Sequence, residues 1–221
     1  MQTLIIGNGD GIGLALTRRL LAEGGDVIGV SRRPLTSLGE HHRQHTLDVL
    51  HPQFVELIGK IVTDAGRVDT LVYCAGIGEP FETHGADIDG DTIRVNFAAL
   101  ADVVRAVLPG MRERSAGRIV GISSIGDRPT PMAPAYGGSK AGMTAYLLGL
   151  RKALRKSGIR VSAVRLGFVD TKMAKSPVKP MMISADRAAE IVQDVIGRGP
   201  AVKTYPRTIG ILAPIVNALM S

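Results

Sequence analysis

The stretch that decides the fold lies at the start of the chain, in Thr3-Leu4-Ile5-Ile6-Gly7-Asn8-Gly9-Asp10-Gly11-Ile12-Gly13. A short apolar run typical of a buried strand leads into a glycine-rich turn, and a helical pattern begins at about Gly11. Glycines at this spacing allow a tight turn in which backbone amides and a helix N-terminus approach a pyrophosphate. The stretch predicts the first β–α unit of a dinucleotide-binding fold, although glycine-rich turns also serve plain packing of a strand against a helix.

The same alternation of apolar runs and amphipathic stretches continues along the 221 residues. It predicts an α/β fold, a single Rossmann-type doubly wound domain over residues 1–221 with a central parallel sheet flanked by helices on both faces. The expected strands are Thr3–Ile6, Val27–Val30, Thr70–Tyr73, Arg118–Ile122, Arg160–Arg165 and Ala201–Thr204. The expected helices are Gly11–Leu21, Phe54–Asp64, Thr92–Met111, Ala135–Lys156 and Ala185–Ile196.

Composition limits the class of protein. Hydrophobic residues make up 45% and charged residues 21%, which is enough apolar material for a folded core. Aromatic residues are only 4% and Trp is absent, which argues against the stacking platforms of nucleic-acid modules. The single cysteine, Cys74, excludes a disulfide framework and a cysteine metal cluster. The first residues show no basic and apolar leader, so a cytoplasmic protein without a transmembrane segment is expected.

The sequence also leads to predictions for three further segments. Part of the net charge of +7 lies in a basic run within residues 151–160, predicted to be a solvated helix face rather than a site for an acidic cosubstrate or lipid. The segment Phe168–Ile183, rich in Met and Pro, is predicted to cover an apolar substrate pocket together with the loop Ile125–Ala135. The apolar tail Tyr205–Ser221 is predicted to pack on the body or a subunit interface, with peripheral lipid contact as the alternative.

The end of the second strand bears on the choice of coenzyme. Val30 is followed by Ser31, Arg32 and Arg33, where an acid would hold the 2′-hydroxyl of NAD. Guanidinium groups instead suit a 2′-phosphate, so NADP is predicted and NAD is the less favoured alternative. A solvated basic turn is the other interpretation. Asp10 in the phosphate-side turn opposes the NADP prediction unless it pairs with Arg32.

The most specific signal is Tyr136-Gly137-Gly138-Ser139-Lys140. Residues spaced by four share one face of a helix, and an ammonium beside a phenol is expected to lower its pKa. Ser124 ends a strand twelve residues earlier, and Asn96 lies in the preceding helix. Together with the glycine turn, and in this order, these residues resemble the short-chain dehydrogenase/reductase family, as an NADP-preferring member of bacterial type.

The resemblance implies a catalytic set and a mechanism. Tyr136 gives a proton to the substrate oxygen while NADPH delivers hydride to the carbonyl carbon, and Lys140 lowers the pKa of Tyr136 and holds the nicotinamide ribose. Ser124 orients the carbonyl, with Ser123 as an alternative, and Asn96 supports a water that resupplies protons. No metal is required. The family also implies a homodimer or homotetramer, built through the helices Thr92–Met111 and Ala135–Lys156.

The resemblance also implies a coenzyme site. Gly7, Gly11 and Gly13 match the pyrophosphate motif, and Asp48, followed by Val49, matches the acid that binds the adenine amino group. Two segments match only in part: Tyr73-Cys74-Ala75-Gly76 lacks two asparagines, and Leu166-Gly167-Phe168-Val169-Asp170-Thr171, which grips the nicotinamide carboxamide, lacks a proline. The residues expected to bind the coenzyme, besides Tyr136 and Lys140, are Gly7, Asn8, Gly9, Asp10, Gly11, Ile12, Gly13, Ser31, Arg32, Arg33, Asp48, Val49, Cys74, Ala75, Gly76, Gly167, Val169 and Thr171.

Two interpretations outside this set stay open. A catalytically silent NADP-binding sensor or scaffold of the same fold is the alternative to an enzyme, although such proteins usually lose the tyrosine or the lysine. Four of the histidines crowd one region, which is read as a loop with surface imidazoles rather than a metal site. These histidines are His41, His42, His45 and His51.

Overall fold

The computed structural model describes residues 1–174, 179–206 and 208. They form one sheet of seven parallel strands in the order β3-β2-β1-β4-β5-β6-β7. The strands are β1 Gln2–Ile6, β2 Asp26–Ser31, β3 His42–Thr46, β4 Thr70–Tyr73, β5 Gly117–Ser124, β6 Ile159–Leu166 and β7 Val202–Tyr205. The strand order reverses between β1 and β4, and the carboxyl ends of the strands meet there at one edge. The predicted doubly wound α/β fold is confirmed.

Alternating residues of the strands belong to two apolar cores, one on each face of the sheet. Leu4 and Ile6 of β1 belong to one core, whereas Ile5 between them belongs to the other. This follows from the two-residue period of a strand, which needs apolar residues at every position when both faces are covered. The helices that cover the faces are α1 Gly11–Ala22, α2 Phe54–Ala65, α5 Ala99–Glu113, α6 Pro134–Ala153 and α7 Ala185–Arg198.

The predicted helix Thr92–Met111 is wrong as a single element. The chain forms a short helix α4 at Asp89–Ile93, a π-helix at Arg94–Ala98 and then α5, and another short helix, α3 at Phe81–His84, precedes them. A π-helix holds one extra residue per turn and is found mostly at functional sites. The sequence does not reveal the π-helix, because the apolar periodicity of the flanking helices continues through it.

The histidine-rich region is only partly the predicted loop: His41 and His51 are exposed and lie outside the strands, whereas His42 and His45 lie in a strand. His42 to Thr46 form the edge strand β3, and His42 is 4% exposed. Its Nδ1 accepts from the Leu38 N–H at 3.0 Å, and burial lowers the pKa of this imidazole. His42 is therefore a buried structural group rather than a surface imidazole. In the described part of the chain, no group of three or more His, Cys, Asp or Glu side chains could hold a metal.

Two predicted segments are described only in part. The lid segment Phe168–Ile183 begins and ends beside β6, where Val169 bridges Ile183, and residues 175–178 lie outside the described residues. In the tail Tyr205–Ser221 only Tyr205, Pro206 and Thr208 are described, and the rest of the segment predicted to pack lies outside the described residues. Among the described helices, none has the length and apolar character needed to cross a membrane.

Candidate active site

The glycine turn between β1 and α1 is built by two close approaches of backbone. Gly7 has φ of 89°, and a Cβ there would lie 2.5 Å from the Ala75 nitrogen after β4. A Cβ on Gly13 would lie 2.2 Å from the Gly7 carbonyl oxygen. Neither position admits a side chain, so the turn brings the N-terminus of α1 directly against the loop after β4.

Asp10 lies in this turn and is held by two cations. Its Oδ1 accepts from the Gly11 N–H at 2.8 Å, which caps α1. Its Oδ2 accepts from Arg33 Nη2 at 2.9 Å and from Lys172 Nζ at 2.8 Å. Lys172 in particular lowers the pKa of Asp10 to about 2. Asp10 therefore pairs with Arg33 rather than with Arg32, and Lys172 is a site residue that the sequence did not indicate.

Asn8 and Ser31 are tied to the neighbouring strand. Asn8 is fully buried, and its Nδ2 donates to Gln44 Oε1 of β3 at 2.7 Å. Ser31 Oγ accepts from Gln44 Nε2 at 3.0 Å and donates to the Arg33 carbonyl at 2.7 Å. The side chain of Gln44 thus supports both the glycine turn and the end of β2, next to Arg32, which is exposed.

The segments after β3 and β4 lie at the same edge of the sheet as the glycine turn. Val49 is buried, and Asp48 Oδ1 accepts from the Leu50 N–H at 2.9 Å. Cys74 is half-buried, and burial raises the pKa of its thiol to about 12. The Tyr73 hydroxyl donates to the Val95 carbonyl at 2.6 Å, so it joins β4 to the π-helix where the two asparagines of the family are missing.

Tyr136, Lys140 and Ser124 meet at the carboxyl end of β5. Ser124 is the last residue of β5, and its hydroxyl lies beside the Tyr136 ring: a Cβ on Gly126 would lie 3.4 Å from Ser124 Oγ and 3.9 Å from Tyr136 Cε1. Lys140 Nζ donates to the Ile122 carbonyl at 2.9 Å and lies 5.8 Å from the centroid of the Tyr136 ring. The helix α6 therefore presents both side chains to the strand end, as their spacing of four predicts.

Burial dominates the ionisation of this pair. It lowers the pKa of Lys140 to about 8, because the residue is only 4% exposed. Burial also raises the pKa of Tyr136, and the hydrogen bond from Ser124 only opposes this effect. The expected lowering of the Tyr136 pKa by Lys140 is therefore not seen: burial outweighs it in the protein alone.

Asn96 belongs to the π-helix and is fully buried. Its Oδ1 accepts from the Ile77 N–H at 2.8 Å, and its Nδ2 donates to the Ile77 carbonyl at 2.9 Å and to Ser139 Oγ at 3.0 Å. A Cβ on Gly76 would lie 3.3 Å from Asn96 Oδ1 and 3.5 Å from Lys140 Nζ. Asn96 thus fixes the loop after β4 to α6 and lies beside Lys140.

Ser123 and Ser124 point to opposite faces of the sheet. Ser123 Oγ lies 3.1 Å from the Lys140 carbonyl and 2.7 Å from Thr144 Oγ1, underneath α6. Ser124 Oγ accepts from the Gly126 N–H at 3.0 Å and lies next to Tyr136. Only Ser124 therefore faces the Tyr136 hydroxyl.

The segment after β6 returns to the glycine turn. The Gly167 N–H donates to the Tyr205 carbonyl at 2.9 Å, and Val169 is buried. Thr171 packs its methyl group against the turn, because a Cβ on Gly11 would lie 2.9 Å from Thr171 Cγ2. The turn, Thr171 and Lys140 thus border the groove that an open parallel sheet has outside the carboxyl ends of its strands, where the strand order reverses.

A small cavity beside Tyr136 has both apolar and acidic residues in its lining, and no described residue of the predicted lid lines it. Phe81, Ile88 and Pro134 line it, but so do Glu79 and Asp89.

The groove suits a phosphorylated dinucleotide. A helix N-terminus at a glycine turn attracts phosphate, and Arg32, Arg33 and Lys172 bring three cations to the same end. At the other end Lys140 lies next to Gly76 and Tyr136 next to Gly78, since a Cβ would lie 3.5 Å from Lys140 Nζ at Gly76 and 2.7 Å from Tyr136 Cδ2 at Gly78. These donors fit the phosphates and the ribose that the predicted coenzyme carries.

Comparison with known proteins agrees with this geometry. The profile of the short chain dehydrogenase family matches residues 2–181. An NADP-dependent 3-hydroxy acid dehydrogenase, YdfG, of Escherichia coli O6:H1 is 33% identical over 180 residues, which is 76% of this chain and 73% of that protein. The 3-oxoacyl-[acyl-carrier-protein] reductase FabG of Vibrio cholerae is 28% identical over 205 residues, covering 88% of this chain and 82% of that protein.

A solved structure shows the same likeness in three dimensions. The closed form of a serine dehydrogenase complexed with NADP+ superposes with a TM-score of 0.81 at 27% identity. The match covers 94% of this chain and 96% of that one.

Proposed function

The chain belongs to the short-chain dehydrogenase family of oxidoreductases, and from that premise we propose that it transfers hydride between NADP(H) and a carbonyl or secondary alcohol group. The observation that carries the proposal is that the Tyr136 ring lies beside the Ser124 hydroxyl at a strand end, with Lys140 and Asn96 close by. Each chemical group that such a transfer requires of the protein is present at this one point.

Each side chain has a separate task in the reduction. Tyr136 gives its proton to the substrate oxygen, and Ser124 donates a hydrogen bond to the charge that develops there. Lys140 stabilises the phenolate that Tyr136 becomes, because its ammonium lies close to the ring. Asn96, held by Ile77 and Ser139, supports the water that resupplies protons. When bound, the coenzyme supplies or accepts the hydride.

The protein's own residues would hold the coenzyme along the groove. The turn Gly7–Gly13 would receive the pyrophosphate, Asp48 and Val49 the adenine, and Gly167, Val169 and Thr171 the carboxamide. Arg32 and Arg33 favour the 2′-phosphate of NADP over the 2′-hydroxyl of NAD. The NADP named for the dehydrogenase of Escherichia coli and for the serine dehydrogenase supports the same choice.

A coenzyme-consumption assay tests the proposal. NADPH and NADH oxidation is followed over a panel of carbonyl compounds. The panel begins with 3-oxoacyl compounds, named for the Vibrio cholerae reductase, and with the ketones that oxidation of 3-hydroxy acids, named for the Escherichia coli dehydrogenase, would give. We expect NADPH-dependent turnover that disappears in Tyr136→Phe. Tight NADPH binding without turnover across the panel would instead favour a coenzyme-binding protein that performs no reaction.

A further inference from the structure

A buried ion pair behind the active site has no role among those assigned above. Arg165 lies on β6, Asp127 lies three residues after Ser124, and Arg165 Nη2 donates to Asp127 Oδ1. The Asp127 side chain is 6% exposed and that of Arg165 is 21% exposed. Within the described residues, Arg165 Nε is buried without a hydrogen-bond partner. Such incomplete pairing does not fully offset the loss of water, so stability alone explains the pair poorly.

The Asp127 carboxylate is also attached to the helix of Tyr136 and Lys140. Its Oδ2 accepts from Thr144 Oγ1 at 2.9 Å. Thr144 comes four residues after Lys140, which in turn comes four residues after Tyr136, so all three lie along one side of α6. The carboxylate therefore reaches the catalytic helix one turn beyond Lys140.

The backbone of Asp127 is attached to the turn that presents Ser124. The Asp127 N–H donates to the Ser124 carbonyl at 3.2 Å, and the Gly126 N–H donates to Ser124 Oγ at 3.0 Å. Asp127 thus joins two parts of the site that are distant in sequence. One part is the turn that carries Ser124, and the other is the helix that carries Tyr136.

We propose that Asp127 is a positioning residue that fixes Ser124 against Tyr136, and that Arg165 supplies the counter-charge that keeps this buried carboxylate from opposing the phenolate of Tyr136. The inference rests on the proposed function for the tasks of Ser124 and Tyr136. It adds two charged residues, one on β6 and one in the loop after β5, to the machinery of the site.

The charge of Asp127 acts on Tyr136 across this short connection. It raises the pKa of Tyr136 in addition to burial. By the proposal, the guanidinium of Arg165, which is paired with this carboxylate, opposes that effect. The other charged groups around the phenol are Lys140, on the same helix, and Glu79 and Asp89, which line the cavity beside it. These three stay in place in the variants below, so differences between variants report on Asp127 and Arg165.

The test follows the ionisation of Tyr136 directly, without substrate or coenzyme. The full-length protein is labelled with 13Cζ-tyrosine, the Tyr136 signal is assigned with Tyr136→Phe, and its titration is followed by NMR. We expect Arg165→Met to move the titration to higher pH and Asp127→Asn to move it to lower pH, each by about one pH unit. The double variant should return close to the wild-type titration. Displacement in the same direction in both single variants would overturn the proposal.

Two further variants separate positioning from folding. The surface pair Asp194 and Arg198 on α7, joined at 2.6 Å, is the matched control, and Asp194→Asn with Arg198→Met should leave the Tyr136 titration unchanged. Thr144→Val removes the hydroxyl that Asp127 accepts from and keeps the side-chain size. It should change the Tyr136 chemical shift at neutral pH and lower kcat about tenfold, because a looser geometry slows the chemical step.

The outcomes for the proposed function and for this inference are distinguishable. Turnover that needs Tyr136, with no opposite displacement of its titration, contradicts the role of Asp127 and Arg165 alone. Opposite displacement without turnover on any carbonyl supports this role and contradicts the proposed function alone. Should Arg165→Met not fold, the comparison of Asp127→Asn with the double variant still decides whether the Arg165 charge acts on Tyr136.

Discussion

At the residue scale, Asp10 shows how one carboxylate can decide which of the cations around it are paired and which are left free for a phosphate. By sequence it opposes a bound 2′-phosphate, yet its charge is shared between Arg33 and Lys172, and Arg32 is left to the solvent side. The side chains that surround the phosphate end of the groove therefore remain net positive. The sequence predicted the arginines but not which of them pairs with Asp10, because side-chain pairing depends on how the loops lie.

Replacing Asp10 by Asn tests this charge balance. Asn keeps the N-cap of α1, whereas the loss of the negative charge frees Arg33 and Lys172 for a phosphate. We expect the Kd of NADPH to fall about fivefold while the Kd of NADH stays constant. The expected change is modest because exposed charges interact weakly. The measurement is coenzyme fluorescence titration, with Asp26→Asn, an exposed partner of His41, as control. An equal change for both coenzymes would contradict the assignment.

Replacing Lys140 by Met tests the burial of the ammonium. The folded-state pKa of about 8 lies below the ordinary 10.5, so the buried charge destabilises the fold at neutral pH. We expect Lys140→Met to raise the free energy of unfolding at pH 7 by about 2 kcal/mol and to lose turnover.

The pH dependence of this difference in the free energy of unfolding, between Lys140→Met and the wild type, identifies its cause. Between pH 8 and 10.5 the unfolded chain binds the proton and the folded protein does not, so the wild type gains stability as pH rises. The advantage of Lys140→Met should therefore shrink across this window and stay constant below it. Thermal unfolding at several pH values measures it, with the exposed Lys152→Met on the same helix as control. An advantage that does not change with pH would show that burial of charge is not responsible.

At the element scale, the glycine turn is specified by backbone contact. A methyl group on Gly13 would overlap the Gly7 carbonyl, which can move only by shifting β1 or α1. We expect Gly13→Ala to destabilise the fold by about 3 kcal/mol and to weaken coenzyme binding. Gly59→Ala in α2, where a Cβ meets nothing, should instead stabilise by about 0.5–1 kcal/mol. Urea unfolding measures both, and a similar effect at the two glycines would refute the account of the turn.

The elements that sequence reasoning missed share a physical cause. β3 reads His42-Arg43-Gln44-His45-Thr46, without the aliphatic run of the inner strands, because an edge strand faces solvent and uses its polar groups. The π-helix was missed because its extra residue leaves the apolar period of the surrounding helix almost unchanged. The inner strands and α1, α2 and α7 were predicted nearly to their ends. The strands are buried on both faces and read as apolar runs, and the helices are buried along one stripe and show the apolar period of a helix.

At the scale of the whole molecule, the sheet brings distant residues to one edge. Gly7, Ser124 and Thr171 follow three parallel strands, and α6 returns Tyr136 and Lys140 to the same place. Sequence order and spacing predicted this gathering, since the carboxyl ends of parallel strands meet. They did not indicate Lys172, Asp127 or Arg165, whose partners lie far along the chain and are set by packing.

The measurement that tests the central claim most directly compares two tyrosines of the same helix. Tyr136→Phe and Tyr146→Phe each remove one hydroxyl, but only Tyr136 faces Ser124, whereas Tyr146 packs edge-on to Phe97. With a carbonyl that the wild type reduces, Tyr136→Phe should lower kcat about a thousandfold and leave the Kd of NADPH unchanged, as expected for loss of a general acid. Tyr146→Phe should keep kcat within about twofold of the wild type. Full turnover in Tyr136→Phe, or an equal loss in both variants, would contradict the account.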